Sequence, residues 1–196
     1  MKKIFPLLFI ILVVSYSSLF AADNKLIKRI SEGVEDAKIT IITYESLTCS
    51  HCADFHKNVY PKLKKDFIDK GLVKIEFRHF PLDIAAFNAS KIGQCNNDGN
   101  SEILHILYSD QEKWVKGKTP EEATQHLKKF LENKSITLDF EKCLEDKEIE
   151  DYVLNDRIEG VKKFKVNATP TIIINEKKFD KTLNYKNLKK YLEKLI

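Results

Sequence analysis

Apolar and polar positions change period several times along the chain. Lys38-Ile39-Thr40-Ile41-Ile42-Thr43-Tyr44 is rich in β-branched and aromatic residues and predicts a strand. Phe55, Val59, Leu63 and Phe67 then recur every fourth position, with Lys57, Lys62, Lys64 and Lys65 between them. That spacing predicts a helix with one buried face. Pro61 falls inside it and predicts a kink, because proline has no N–H to donate and crowds the preceding turn; Gly71 is the expected terminator. Leu72-Val73-Lys74-Ile75-Glu76-Phe77-Arg78 alternates apolar and charged residues, as a half-exposed strand does.

From Asp83 to about Phe164 the pattern is helical almost throughout. Ile103, Ile106 and Leu107 make one stripe. Leu127, Phe130 and Leu131 make another, opened by Thr119-Pro120-Glu121-Glu122, an N-cap followed by proline and acids in the first turn. Asn97-Asp98-Gly99-Asn100 reads as a loop. Thr171-Ile172-Ile173-Ile174 is a short apolar run suited to a buried strand, with a turn at Asn175-Glu176 and a hairpin partner at Lys177, Lys178 and Phe179. Leu188, Tyr191, Leu192 and Leu195 give an amphipathic C-terminal helix. Trp114, Tyr108 and the other aromatics are expected in the core. The order strand, helix, strand, helical block, strand, strand, helix predicts a small α/β sheet interrupted by an α-helical insertion.

The first 22 residues follow another logic. Lys2 and Lys3 precede an apolar run from Ile4 to Val14, then a more polar stretch, then Leu19-Phe20-Ala21-Ala22 before Asp23. Basic, apolar and small-residue regions in that order predict a secretory signal peptide cleaved near Ala21 or Ala22. The run is shorter than the ~20 residues a membrane-spanning helix needs, and no cysteine follows it to carry a lipid. The rest of the chain is therefore expected in the periplasm, an oxidising compartment.

Composition narrows the field further. With 196 residues, 43% hydrophobic and 32% charged, 6 Gly and 5 Pro, the chain is neither collagenous nor low-complexity. Lys and Arg number 33 against 29 Asp and Glu, for a net charge of +4. Without Lys2 and Lys3 the balance is 31 against 29, or +2. No basic block interleaved with aromatics is present, so nucleic acid is not expected as a partner.

The candidate chemistry lies in four cysteines: Cys49, Cys52, Cys95 and Cys143. Four cysteines allow three connectivities. Cys49-Ser50-His51-Cys52 is a CxxC pair, close enough for a small reversible bridge. That leaves Cys95 and Cys143 for each other, a structural disulfide whose 48-residue loop would stabilise by about 4 kcal/mol in the chain-entropy model. Cys49, Cys52, His51 and His56 could also be read as metal ligands, but a closed zinc site wants a second close pair. Cys95 and Cys143 stand alone, and His79, His105 and His126 show no pairing along the sequence, so no metal and no cofactor are expected.

The CxxC lies between the first strand and the first helix. Unpaired N–H groups and the dipole at a helix start stabilise an anion, so the Cys49 thiol is expected to be acidic, with Cys52 further in. His51 would favour the Cys49 thiolate further. A stabilised thiolate favours the dithiol form and makes the disulfide a better oxidant. Pro170, directly before a central strand, cannot donate to the ladder, and a cis bond would explain its place.

A strand, a CxxC at a helix start and a distant Thr169-Pro170 before a strand resemble the thioredoxin superfamily. The helical insertion and the Cys-Ser-His-Cys sequence look like its DsbA-type branch, the exported thiol:disulfide oxidoreductases. Arg78-His79-Phe80-Pro81-Leu82-Asp83, the helix reaching Cys95, and Val166 through Asn175 are similar to segments common in that branch, and the likeness runs from Lys38 to the C-terminus. With the signal over 1–22, it implies a thioredoxin-like domain over 23–83 and 165–196 and a helical insertion domain over 84–164.

It also implies roles. Cys49 would be the nucleophile, Cys52 the resolving thiol and His51 the tuning residue. Pro170 would be cis beside the CxxC, with the Thr169 backbone pairing with a substrate strand. Substrates would be reduced exported proteins, the reoxidant a DsbB-like membrane partner, and the protein a monomer, since the residues between Asp23 and Lys38 are too few for an oligomerising stalk. Three departures stand out. Ser50 replaces the proline frequent in this branch, Asn167-Ala168 stands where glycine is more usual, and the acid often found near Thr43 or Ser46 is here Glu45. An isomerase or reductase of the same superfamily, or a binding protein with a structural CxxC, are the alternative readings.

Overall fold

A computed structural model describes residues 26–196; the expected signal segment lies outside them. Five strands form one mixed sheet: β1 (Ile30–Glu32), β2 (Ile39–Glu45), β3 (Val73–His79), β4 (Thr171–Ile174) and β5 (Lys177–Lys178). They lie in the order β1-β3-β2-β4-β5. β2 runs parallel to β3, and the other neighbours are antiparallel. The parallel pair needs a helical crossover, and residues 50–68 supply it.

That crossover begins as α1 (Ser50–Asp54), widens to a π-helical segment (Phe55–Val59), returns to α-helix in α2 (Tyr60–Leu63) and widens again over Lys64–Ile68. The expected kink at Pro61 thus takes the form of a π-helical stretch just before the proline, which relieves the clash of its ring with the turn behind it. Gly71, at φ +70, ends the segment.

Between β3 and β4 come α3 (Ile84–Gln94), α4 (Glu102–Ser109), α5 (Gln111–Trp114), α6 (Pro120–Asn133), α7 (Phe140–Glu145) and α8 (Lys147–Phe164). Side chains cap the starts of α3, α6 and α8: Asp83 on Ala86 N–H, Thr119 on Glu122 N–H, and Asp146 on Glu148 and Ile149 N–H. After β4, Asn175 and Glu176 both adopt positive φ and turn the chain into β5, the geometry that matches the twist of a hairpin. α9 (Tyr185–Leu192) closes the chain.

Both faces of the sheet are covered, so β2 is buried over nearly its whole length. Ile39 and Ile41 face the larger core with Phe55, Leu63, Leu107, Leu188 and Leu192; Ile42 and Tyr44 face a smaller cluster with Phe80, Phe164 and Val166. Trp114 is fully buried and donates its indole N–H to the Leu107 carbonyl at 2.8 Å. β1 went unanticipated because three residues are too few to show a period. It is held by pairing with β3 and by Arg29, whose guanidinium grips the buried Asp156 of α8 at 2.5 and 2.7 Å. Asp156 also accepts the His79 N–H at 3.0 Å. Among the described residues no helix is long and apolar enough to cross a membrane.

Candidate active site

The end of β2 and the start of α1 fix the CxxC. Cys49 is extended (φ −80, ψ 119) and stands at the N-cap of α1. Its N–H donates to the Ser46 carbonyl at 3.0 Å, and its own carbonyl accepts from Cys52 and Ala53. The insertion braces this turn, since the Gln111 amide of α5 donates to the Leu47 and Cys49 carbonyls at 2.8 and 3.0 Å. Thr48 adds a 2.7 Å hydrogen bond to Asp83 at the start of α3.

Within this turn the two sulfurs differ. Both cysteines are free thiols; Cys49 is half-buried and Cys52 fully buried. A hydrogen bond from Cys52 is the main reason that the Cys49 thiol is lowered from 9.0 to about 5. Partial burial opposes the shift, and Thr169 and the backbone N–H groups of Cys52 and His51 support it. Those amides are the unpaired donors of the helix start. Burial pushes the Cys52 thiol up, and the bond it gives Cys49 and the nearby Glu45 charge add to that.

The Thr169–Pro170 peptide bond is cis. Next to β2 in the sheet, β4 carries this bond to the CxxC, where the Cys49 thiol donates to the Thr169 carbonyl across 3.4 Å. The Thr169 hydroxyl is buried without a partner, which leaves it free to donate to a sulfur anion. His51, Asp54, Phe55, Val59, Thr169, Pro170 and Leu183 line an open groove of about 220 Å³ beside the sulfur. His51 reaches Cys49 through its backbone N–H, while its side chain is exposed in the groove wall. Cys95 and Cys143 form a disulfide joining the end of α3 to α7, and neither lines the groove.

Sequence spacing missed a file of polar side chains that starts at the buried Glu45 and His56. Glu45 is 3% exposed and joins His56 Nε2 at 2.6 Å through Oε2. His56 Nδ1 lies 3.0 Å from His105 Nδ1, and His105 Nε2 lies 2.6 Å from Glu32 Oε1. The expectation that His105 has no pairing is thus corrected: its partner is 49 positions away in sequence and meets it only when α4 packs against the 55–59 segment. Tyr60 and Tyr108, expected as plain core residues, stack on these rings: Tyr108 on His56 at 4.0 Å and Tyr60 on His105 at 4.4 Å. A sequence signal did exist, since His56 falls on the apolar face with Phe55 and Val59. Among the described residues no group of three or more His, Cys, Asp or Glu is arranged to hold a metal ion.

Comparison with known proteins agrees with this geometry. The family model described as Thioredoxin matches residues 25–194. A putative protein-disulfide oxidoreductase of Rickettsia bellii is 31% identical over 147 residues, which are 73% of this chain and 55% of that protein. The chain thus spans about half the length of that relative. Disulfide bond formation protein D of Bacillus subtilis is 28% identical, over 83% of this chain and 74% of its own. Among solved structures, alpha-DsbA1 of Wolbachia pipientis is 29% identical with a TM-score of 0.77, covering 87% of this chain and 92% of its own. These relatives are disulfide oxidoreductases of the DsbA type by name, and the chain itself belongs to the thioredoxin family.

Proposed function

We propose that the protein is an exported oxidase that introduces disulfides into reduced proteins at its Cys49-Ser50-His51-Cys52 centre. The carrying observation is the asymmetry of the two thiols, one lowered to about 5 and the other pushed up, at one helix start. A substrate thiolate attacks Cys49 of the disulfide form and Cys52 leaves. A second substrate thiolate then attacks the substrate sulfur of the mixed disulfide and expels Cys49 as a stable thiolate, which is the better leaving group of the two. The substrate backbone pairs with that of Thr169 beside Pro170, and His51 shapes the groove next to the sulfur. The signal over 1–22 exports the chain, a DsbB-like membrane partner reoxidises it, and it works as a monomer without a cofactor. The Cys95–Cys143 bond braces the insertion.

The test is an equilibrium titration of the Cys49/Cys52 couple against glutathione, with Cys95–Cys143 intact. The expected couple is more oxidising than glutathione, whereas one as reducing as thioredoxin's, ~ −270 mV, would exclude the oxidase role. In parallel, Cys52→Ala loaded at Cys49 with glutathione as a mixed disulfide should exchange with reduced substrate proteins, releasing glutathione and leaving dithiothreitol-sensitive adducts, and Cys49→Ser put through the same loading should form none.

A further inference from the structure

We infer that the proton of Cys52 travels to and from solvent along a fixed hydrogen-bonded file through Glu45, His56, His105 and Glu32. This rests on the exchange reaction proposed above and adds the route of its proton.

Burial sets the problem. Cys52 is 0% exposed, yet it leaves as an anion each time a substrate thiolate breaks its bond to Cys49. On reoxidation it must lose a proton before its sulfur can form that bond again. One proton therefore crosses the interior in each half of the cycle.

From Glu45 to Glu32 the file runs through three contacts of 2.6, 3.0 and 2.6 Å. Each contact holds one proton, whichever partner carries it. The inner half is closed and the outer half reaches solvent: the side chains of Glu45 and His56 are both 3% exposed, those of His105 and Glu32 26% and 15%. At the inner end Glu45 Oε1 is buried with no partner, while the carboxylate charge reaches Cys52. Glu45 thus keeps one carboxylate oxygen outside its contact with His56, within electrostatic reach of the sulfur.

Tyr108 on His56 and Tyr60 on His105 hold the rings so that their Nδ1 atoms face each other. At the outer end Glu32 accepts from the Tyr60 hydroxyl at 2.5 Å and the Ser101 hydroxyl at 2.6 Å, with Lys64 at 3.7 Å. These donors make Glu32 a weak base, which returns a proton to water and does not trap it.

Delivery balances as follows. The substrate S–S bond to Cys49 forms as the Cys49–Cys52 bond breaks, leaving a thiolate on Cys52. A proton enters at Glu32, each proton in the file crosses its own contact, and Glu45 passes one to the Cys52 sulfur. The net change is one solvent proton consumed and one S–H bond formed. Reoxidation runs the file outward.

The test compares wild type, His105→Gln, Glu32→Gln and His105→Gly by stopped-flow reduction of the oxidised protein with a dithiol, in H2O and D2O. Glutamine fills the site and still hydrogen-bonds, but it cannot pass a proton. Both glutamine variants should react about 10-fold more slowly, below the usual range for a positioned acid–base group because water replaces it in part. Their equilibrium potentials against glutathione should be unchanged, since both end states keep their protons. Added imidazole should restore the His105→Gly rate without accelerating wild type. Full rates in both glutamine variants would overturn the relay, as would slow rates that imidazole cannot restore accompanied by a shifted potential. If one glutamine variant fails to fold, the other decides alone. A wild-type protein inert to dithiols would instead sink the exchange reading itself.

Discussion

The sulfur of Cys49 and the carbonyl oxygen of Thr169 lie 3.4 Å apart across 120 residues of sequence. The sheet creates this contact: β4 pairs with β2 through Thr43–Ile172 and Tyr44–Thr171, so the segment before β4 ends level with the turn after β2. A peptide paired to the backbone at Thr169 would carry its own cysteine to the reactive sulfur.

The acidity of Cys49 has a measurable sign. Its thiol pKa falls from 9.0 to about 5 on folding, so the ionised form stabilises the folded, reduced protein. That contribution is complete above pH 9, shrinks as pH falls through the window, and is gone below about 5. The oxidised protein has no such thiol. The melting temperature of the reduced form relative to the oxidised form should therefore rise from pH 5 to pH 8. The pH profile of Cys49 alkylation should show its midpoint near 5; a midpoint near 9 would refute the assignment.

Removing the disulfide tests the insertion. The Cys95–Cys143 bond closes a loop of 48 residues, and replacing both cysteines by alanine should cost roughly 2–5 kcal/mol in denaturant unfolding. The alkylation midpoint of Cys49 should not move, because Gln111 and Thr48, not the disulfide, hold the CxxC turn. A shifted midpoint would show that the bond also tunes the redox site.

Gly160 of α8 packs against the ring of Tyr44. An added Cβ there would meet Tyr44 Cε1 at 2.8 Å, closer than carbon atoms tolerate, and Tyr44 is fully buried with nowhere to move. Gly160→Ala should destabilise by about 1–3 kcal/mol, despite the better helix propensity of alanine. Unchanged stability in chemical denaturation would mean that α8 can shift off the sheet.

Much of the fold is legible because its elements are locally consistent. β2 and β4 are dense in β-branched residues, and α6 announces itself with Thr119 and Pro120. The π-helical widening around Pro61 shows only half of itself in sequence: the proline predicts a disturbance, but the form it takes depends on what the helix packs against. Glu32 is harder still, because a lone acid in a three-residue strand carries no pattern. Only the pairing of β1 with β3 brings it to His105.

The sequence by itself determined the chemistry available. CxxC spacing, a strand before it and a helix after it dictate one half-buried and one fully buried thiol at a helix start, since those are properties of neighbours along the chain. Tertiary structure decided which distant groups surround them. Thr169 reaches the outer sulfur, and Glu45, His56, His105 and Glu32 line up behind the inner one. A contact between residues 49 or 120 positions apart depends on sheet order and helix packing, and no local period encodes either.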